Sequence, residues 1–189
     1  MMPYQNILIQ LVDTPPLDKN SPGWLKGISK SADASLAIFD LSKDNLAEDI
    51  RNFKEILNNL GLSDKKTLFL GNKIDLEKAR ENFKKFESEY NIKPISALKK
   101  IGIEELKKEI FDLLKIVRIY SKKPGQAPDF NQPFIVKRKT KLIALAKQIS
   151  EDFAFSFKYA RVFRKNSKKF RIVGKDYLLK DGDIIEIHT

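Results

Sequence analysis

Apolar positions along the first 117 residues fall into short runs and longer stripes that alternate with one another. The run Asn6 to Val12 predicts a strand buried on both faces, and Ala34 to Leu41 predicts a second one after a loop of turn formers, "DTPPLDKNSPG". Asp44 is placed to cap a helix whose Leu46, Ile50, Phe53, Leu57 and Leu60 recur at helical spacing up to Gly61. A strand "TLFLGN" comes next, then a polar helix over 77–90, a short strand "IKPI" and a helix from about Gly102. In that last helix Ile103, Leu106, Ile110, Leu113 and Val117 form one stripe. Strands that alternate with helices predict a parallel α/β sheet.

The pattern changes near Val117. Two strand-like ends enclose a stretch with Pro124, Gly125, Pro128 and Pro133, which sets a domain boundary between 1–117 and 118–189. Beyond it, "TKLIALAKQISEDF" predicts one helix capped by Thr140, "KYARVFR" and "KFRIV" predict strands, and a turn at Asp181 and Gly182 leads into a last strand. One helix among short strands makes a small α+β module. Trp24 lies in the early loop, either packed or marking a partner site.

Composition sharpens this picture in two places. With 42% hydrophobic residues the chain can build cores, no apolar run approaches a membrane span, and no basic-then-apolar leader opens the chain, so a cytoplasmic globular protein with no membrane partner is expected. There is no Cys and one His, His188, so thiolate or histidine metal sites are not expected. The net charge of +11 is unevenly spread: residues 1–117 hold 19 basic against 18 acidic residues, and 118–189 hold 17 against 7. A polyanion, with RNA the natural choice over DNA, is the partner this asymmetry suggests for the second module; a solvated basic surface is the bland alternative.

The chemistry concentrates in "NKID", directly after a buried strand, where α/β proteins bind ligands. The carboxylate of Asp75 can accept from both the ring N–H and the exocyclic amine of guanine, a pair of donors that adenine does not present. Lys73 can lay its stem along a base, and Asn72 can tie neighbouring loops. The alternative is a polar turn that caps the next helix. In "ISAL", one strand and one helix later, the backbone N–H groups near Ser96 and Ala97 can donate to the guanine carbonyl.

With "LVDTPP" standing for D-x-x-G, "NKID" for N-K-x-D and "SAL" for S-A-K, the chain resembles the second half of a Ras-like GTPase domain of the Obg type, the branch of the developmentally regulated GTP-binding proteins. Residues 118–189, with "IVRIYSKKPGQAPDFNQPFIV" and "LKDGDIIEIHT", resemble a TGS domain, a β-grasp module appended to such GTPases. The resemblance implies an α/β fold, an incomplete Ras-like P-loop GTPase sheet followed by the β-grasp module. It also implies guanine contacts from Asn72, Lys73, Asp75, Ser96, Ala97 and Leu98, water-mediated Mg²⁺ contact from Asp13, and GTP or GDP with Mg²⁺ as cofactors of the full-length family. Contact with the ribosome or RNA follows from the same resemblance.

The chain departs from the family where phosphate is held. No glycine stands in G-x-x-x-x-G-K spacing, and Pro16, which lacks a backbone N–H, occupies the D-x-x-G glycine. Leu17 and Leu98 replace a water-orienting Gln and a Lys. Asp13 is equally readable as a turn residue. The phosphate-binding third of the domain is therefore expected to be missing, GTP hydrolysis by this chain to be poor or nil, and no cofactor of its own to be required. In the resembled fold the missing strand lies between Asn6–Val12 and Ala34–Leu41, so those edges should pair with each other, borrow a strand from a missing N-terminal segment or a second copy, or stay open, with a rearranged or supplemented sheet favoured over a gap. Either the chain is part of a longer GTPase, or it is a short non-catalytic RNA- or ribosome-binding protein. Lys137, Arg138, Lys139, Arg161, Arg164, Lys165, Lys168, Lys169 and Arg171 are the expected RNA surface, with Phe155, Phe157, Tyr159, Phe163 and Phe170 assigned to packing.

Overall fold

The first apolar run folds back on itself. Strands β1 (Met2–Tyr4) and β2 (Ile7–Ile9) pair antiparallel, with Met2 opposite Ile9 and Tyr4 opposite Ile7, and Gln5 in the turn takes a φ of 50°. Ile7 and Ile9 are buried while Leu8, Leu11 and Val12 are exposed. The expected strand over Asn6–Val12, buried on both faces, is thus corrected to half of a hairpin with one buried face. The physical reason is local: a tight turn lets neighbouring backbone groups satisfy one another.

The computed structural model describes residues 1–18, 21, 23–165, 167 and 169–189. It divides into two units, Val12–Leu114 and Met1–Leu11 together with Lys115–Thr189. The hairpin is part of the second unit, where Asn6 Nδ2 donates to the Phe130 carbonyl at 2.7 Å and Arg118 donates to Gln5 Oε1.

In the unit Val12–Leu114, helix α1 (Gly23–Ser31) precedes β3 (Ser35–Asp40), α2 (Leu46–Asn59), β4 (Thr67–Asn72), α3 (Glu77–Tyr90), β5 (Lys93–Pro94) and α4 (Ile103–Leu114). Strands β3, β4 and β5 lie side by side and parallel in that order, with Asp40 level with Asn72 and Gly71 level with Pro94. Leu46 and Ile50 of α2 and Ala79 of α3 pack with Leu41 and Ile92 in one core, against which Phe39, Phe69 and Phe83 also pack. The rings of Phe39 and Phe69 stack at 6.0 Å and Phe53 meets both edge-on.

Local chemistry explains the differences from expectation. The N-cap of α2 is Asn45, and Asp44 instead pairs with Lys78 at 2.7 Å. Helix α1 falls where a loop was expected because two glycines and four serine or lysine positions mask its short apolar stripe; Leu25 is buried and Trp24 is exposed on its first turn. Among the described residues β3 pairs only with β4, so the rearrangement that closes Ile7–Ile9 into a hairpin leaves β3 at the sheet edge.

The second unit holds β6 (Ile116–Ser121), β7 (Phe134–Lys137), α5 (Leu142–Ile149), α6 (Glu151–Phe155), β8 (Tyr159–Phe163), β9 (Phe170–Val173) and β10 (Asp183–His188). The sheet order is β7-β6-β10-β8-β9, and β10 runs parallel to β6 while every other pair is antiparallel. Leu142 and Leu145 of α5 close one face over Val117, Val136, Ala160, Val162, Val173 and Ile185. Val117 therefore belongs to β6 and not to the stripe of the preceding helix. The helix expected over "TKLIALAKQISEDF" breaks at Ser150, which is extended at φ −164° and whose hydroxyl accepts from Asp152 N–H to cap α6. Thr140, expected as a cap, donates to the Lys137 carbonyl at 2.7 Å, and Lys141 holds the cap position. A parallel α/β segment followed by a small α+β module is the architecture that the alternation predicted. No helix among the described residues is long and apolar enough to cross a membrane.

Gly71 brings β4 against Leu41. A methyl group there would stand 2.5 Å from the Leu41 side chain, which is fully buried and has no room to retreat. Gly71→Ala should lower stability by about 1–3 kcal/mol in urea unfolding, and most of that loss should disappear in a Leu41→Ala background; an additive pair of losses would contradict the contact.

Candidate functional site

Parallel strands deliver their chain ends to one rim of the sheet, and three loops start there. The loop after β4 begins with Asn72, whose Oδ1 accepts from the backbone N–H of Lys73 at 2.8 Å and of Ala97 at 3.0 Å. One side chain thus joins the second loop to the third. Lys73 turns the chain through a left-handed φ of 70°. Arg80, from α3, donates to the carbonyls of Ile74 and Asp75 at 3.1 and 2.8 Å and holds the turn from behind.

The loop after β5 is equally constrained. Ser96 is fully buried, exchanges both backbone hydrogen bonds with Ile101, and accepts from Lys99 N–H at 3.0 Å through its hydroxyl. Gly102 closes the loop at φ 72°, where a Cβ would lie 2.7 Å from the Pro94 carbonyl, so glycine is required there. The neighbouring Ser96 hydroxyl, with the cations of Lys99 and Arg80, holds the partly exposed Asp75 carboxylate below its ordinary range. Asp75 is thereby kept charged. The N–H groups of Ser96 and Ala97, expected to face a base carbonyl, are both used to hold the loop, and the next N–H along the tip is that of Leu98, which is 81% exposed.

The loop after β3 supplies residues that sequence reasoning missed. Asp40 accepts the Lys73 ammonium at 2.6 Å and the Ser42 hydroxyl and N–H at 2.7 and 3.0 Å. Burial alone would raise its pKa, but the bonds from Lys73 and Ser42 outweigh it and bring Asp40 down to about 2. Lys73, assigned by sequence to a base face, spans the first two loops through this ion pair. Asn82 on α3 is buried and donates to the Leu41 and Lys43 carbonyls at 2.8 and 3.0 Å. The available signal for Asp40 was its place at the end of a strand adjacent to "NKID"; Arg80 and Asn82 carried none, because their targets are backbone carbonyls.

Asp13 lies exposed in an irregular stretch. Among the described residues no group of three or more His, Asp and Glu side chains gathers to hold a metal. The described residues do not by themselves make a magnesium site.

The basic residues of the second unit divide by environment. Arg164 pairs at 2.6 Å with Asp183, and Arg161 at 3.2 Å with Glu186, both carboxylates being buried. Tyr177 OH and Lys180 N–H also donate to Asp183, yet burial dominates and raises its pKa. These two arginines neutralise the interior. Lys137, Arg138, Lys139, Lys165, Lys169 and Arg171 are exposed, and Lys168 lies outside the described residues. Strand register puts Lys137–Lys139 and the described residues Arg164, Lys165 and Lys169 at the same end of the sheet but at opposite edges, roughly 19 Å apart at the usual strand spacing. Of the aromatics assigned to packing, Phe157 joins the core, whereas Phe155 is 96% and Phe170 47% exposed.

Residues 117–189 match the TGS domain family. A GTP-binding protein of Methanocaldococcus jannaschii is 33% identical over 128 residues, which cover 64% of this chain and 32% of that protein. Developmentally-regulated GTP-binding protein 1 of Xenopus laevis is 36% identical over 96 residues, covering 50% and 26%. Ribosome-interacting GTPase 1 of Saccharomyces cerevisiae is 31% identical over 99 residues, covering 51% and 27%. The chain spans about a third or less of the length of these relatives. Among solved structures, a GTP binding protein from Pyrococcus horikoshii aligns with a TM-score of 0.49 and 20% identity over 74% of this chain and 50% of that one.

The low pKa of Asp40 carries a pH signature. Its contribution to stability is complete above its ordinary value of 3.8 and is lost as pH falls toward 2. Discounted for partial exposure, this amounts to about 1–2 kcal/mol. Asp40→Asn should be less stable than the parent by that amount at pH 6, and the difference should close between pH 4.5 and 2 when the two are compared by urea unfolding.

Proposed function

We propose, from the premise that residues 117–189 are a TGS domain on a chain whose relatives are GTP-binding proteins, that this chain carries the base-reading loops of a guanine-nucleotide-binding protein. The observation that carries the reading is the cross-link at the strand ends from Asn72 to Ala97, which ties the turn bearing Asp75 to the loop whose exposed tip is Leu98. Asp75 accepts the two N–H donors of guanine, and the N–H of Leu98 takes its carbonyl. Lys73, Asn72, Ser96 and Ala97 hold these groups in place.

Within these 189 residues there is no G-x-x-x-x-G-K sequence and Pro16 offers no N–H, so this chain contributes base contacts and not phosphate contacts. Affinity and transition-state stabilisation in phosphoryl transfer come mainly through phosphates and the metal ion, so binding by this chain alone is weak and its GTP hydrolysis negligible. The TGS unit engages RNA or the ribosome in the cytoplasm. The excess of 17 basic over 7 acidic residues supports that partner, as does the ribosome-interacting yeast relative.

Two titrations followed by amide chemical shifts test the base-reading proposal. GMP and GDP should perturb Lys73, Asp75 and Leu98 to a similar extent while AMP leaves them unmoved. Asp75→Asn exchanges one acceptor for a donor and should turn the preference from guanine to xanthine, whose carbonyl replaces the exocyclic amine. Equal response to AMP, or a preference unchanged in Asp75→Asn, would overturn the assignment.

A further inference from the structure

We propose that the face of the β8–β9 hairpin turned away from α5 is a stacking platform for unpaired bases of single-stranded RNA. The inference rests on the reading that the TGS unit's partner is RNA, and it names the form of RNA and the side chains that meet it. The face follows from alternation: Ala160, Val162 and Val173 enter the core beneath α5, so Tyr159, Arg161, Phe163, Phe170 and Ile172 line the opposite side. Cross-strand register seats Phe163 beside Phe170 and Arg161 beside Ile172.

Flat groups accumulate on that face. The Phe163 and Phe170 rings are 5.5 Å apart, the Arg161 guanidinium lies 4.7 Å from the Phe170 centroid, and Tyr159 stacks on His188 at 4.5 Å with 9° between planes. Phe170 and Ile172 keep 47% and 61% of their surface in water, a cost that a solvated strand at a sheet edge ordinarily avoids with polar residues. The one carboxylate that β10 brings to this side, Glu186, is 2% exposed and is held by Lys122, Arg161 and His188. Its charge is cancelled, so a polyanion meets no exposed carboxylate from that strand.

Exposed cations adjoin the flat groups. Lys165 and Lys169 stand in the connection between β8 and β9, next to the Phe163–Phe170 pair, where backbone phosphates can lie while bases reach the rings. Aromatic faces accept any base, and an A-form duplex keeps its bases stacked on one another and out of reach. The combination of an apolar planar patch with flanking lysines therefore selects unpaired RNA over duplex. An edge strand of another protein is the competing occupant, and it would use backbone pairing with β9 without needing phosphate contacts.

Fluorescence anisotropy of the full 189-residue chain with a labelled oligouridylate of about 12 nucleotides, within the ~4–16-nucleotide span of small β modules, separates these cases when compared with an RNA duplex of equal length. The single strand should bind more tightly. Phe170→Ala should weaken it by about 5-fold or more with the salt dependence unchanged, and Phe170→Leu, which keeps the apolar volume but loses the ring, should do the same; circular dichroism checks that both variants fold. Lys165→Gln with Lys169→Gln should flatten the plot of log K against log salt by roughly 0.7 for each phosphate that is no longer neutralised. Duplex bound as tightly as single strand, Phe170 variants that bind like the parent, or no binding to either RNA would each overturn the proposal. Guanine-dependent shifts at Asp75 are read in a separate titration and are unaffected by that result.

Discussion

A single side-chain oxygen holds two of the three turns at the ends of the parallel sheet in one arrangement. Asn72 Oδ1 accepts two backbone N–H groups, one in its own loop and one in the loop after the next strand. An amide oxygen has two lone pairs and no charge, so it satisfies both donors without drawing a counter-ion into the rim. Asp in its place would add a negative charge beside Asp75, and Ala would leave two N–H groups unpaired. The other rim contacts extend this arrangement: the Lys73–Asp40 pair spans loops whose backbone course is set by hydrogen bonds from Asn82 and Arg80.

Much of this was legible in the sequence, and the pattern of what was not is instructive. The strand "TLFLGN" and the helix over 77–90 were read to the residue, because hydrophobic period and turn chemistry agreed there. The run at Asn6–Val12 misled because periodicity cannot distinguish a strand with two buried faces from one that alternates Ile7, Leu8, Ile9 in a hairpin; the nearby turn at Gln5 and Asn6 has no glycine to announce it. The break at Ser150 was hidden in an apolar stripe that continues across it, since serine both interrupts a helix and caps the next. The loops that read as a ligand site are those in which side chains bond to backbone, and such bonds leave no compositional trace except at Asn, Ser and Arg.

Charge was the least transparent signal. An excess of basic residues in 118–189 pointed outward, to a partner, yet Arg161, Arg164 and Lys122 point inward, to Glu186 and Asp183. Those carboxylates sit on β10, in the middle of the sheet, and are tolerable there only when cations from the flanking segments meet them. Part of the net charge is thus internal compensation, and the share available to a partner is carried by exposed residues such as Lys139, Lys165, Lys169 and Arg171.

Strand β10 also has a kinetic meaning. It lies between β6 and β8 in the sheet but follows both in sequence, so it alone joins the β6–β7 hairpin to the β8–β9 hairpin. Two-stranded hairpins are marginal in water, and each must wait, with its inner edge uncovered, for a strand that the ribosome makes later. The unit Val12–Leu114 has no such delay, because each of its strands pairs with the strand next in sequence. During synthesis the two units therefore become self-sufficient at different times, and the interval in which β6 and β8 stand open is when this chain is most exposed to mispairing with a neighbour.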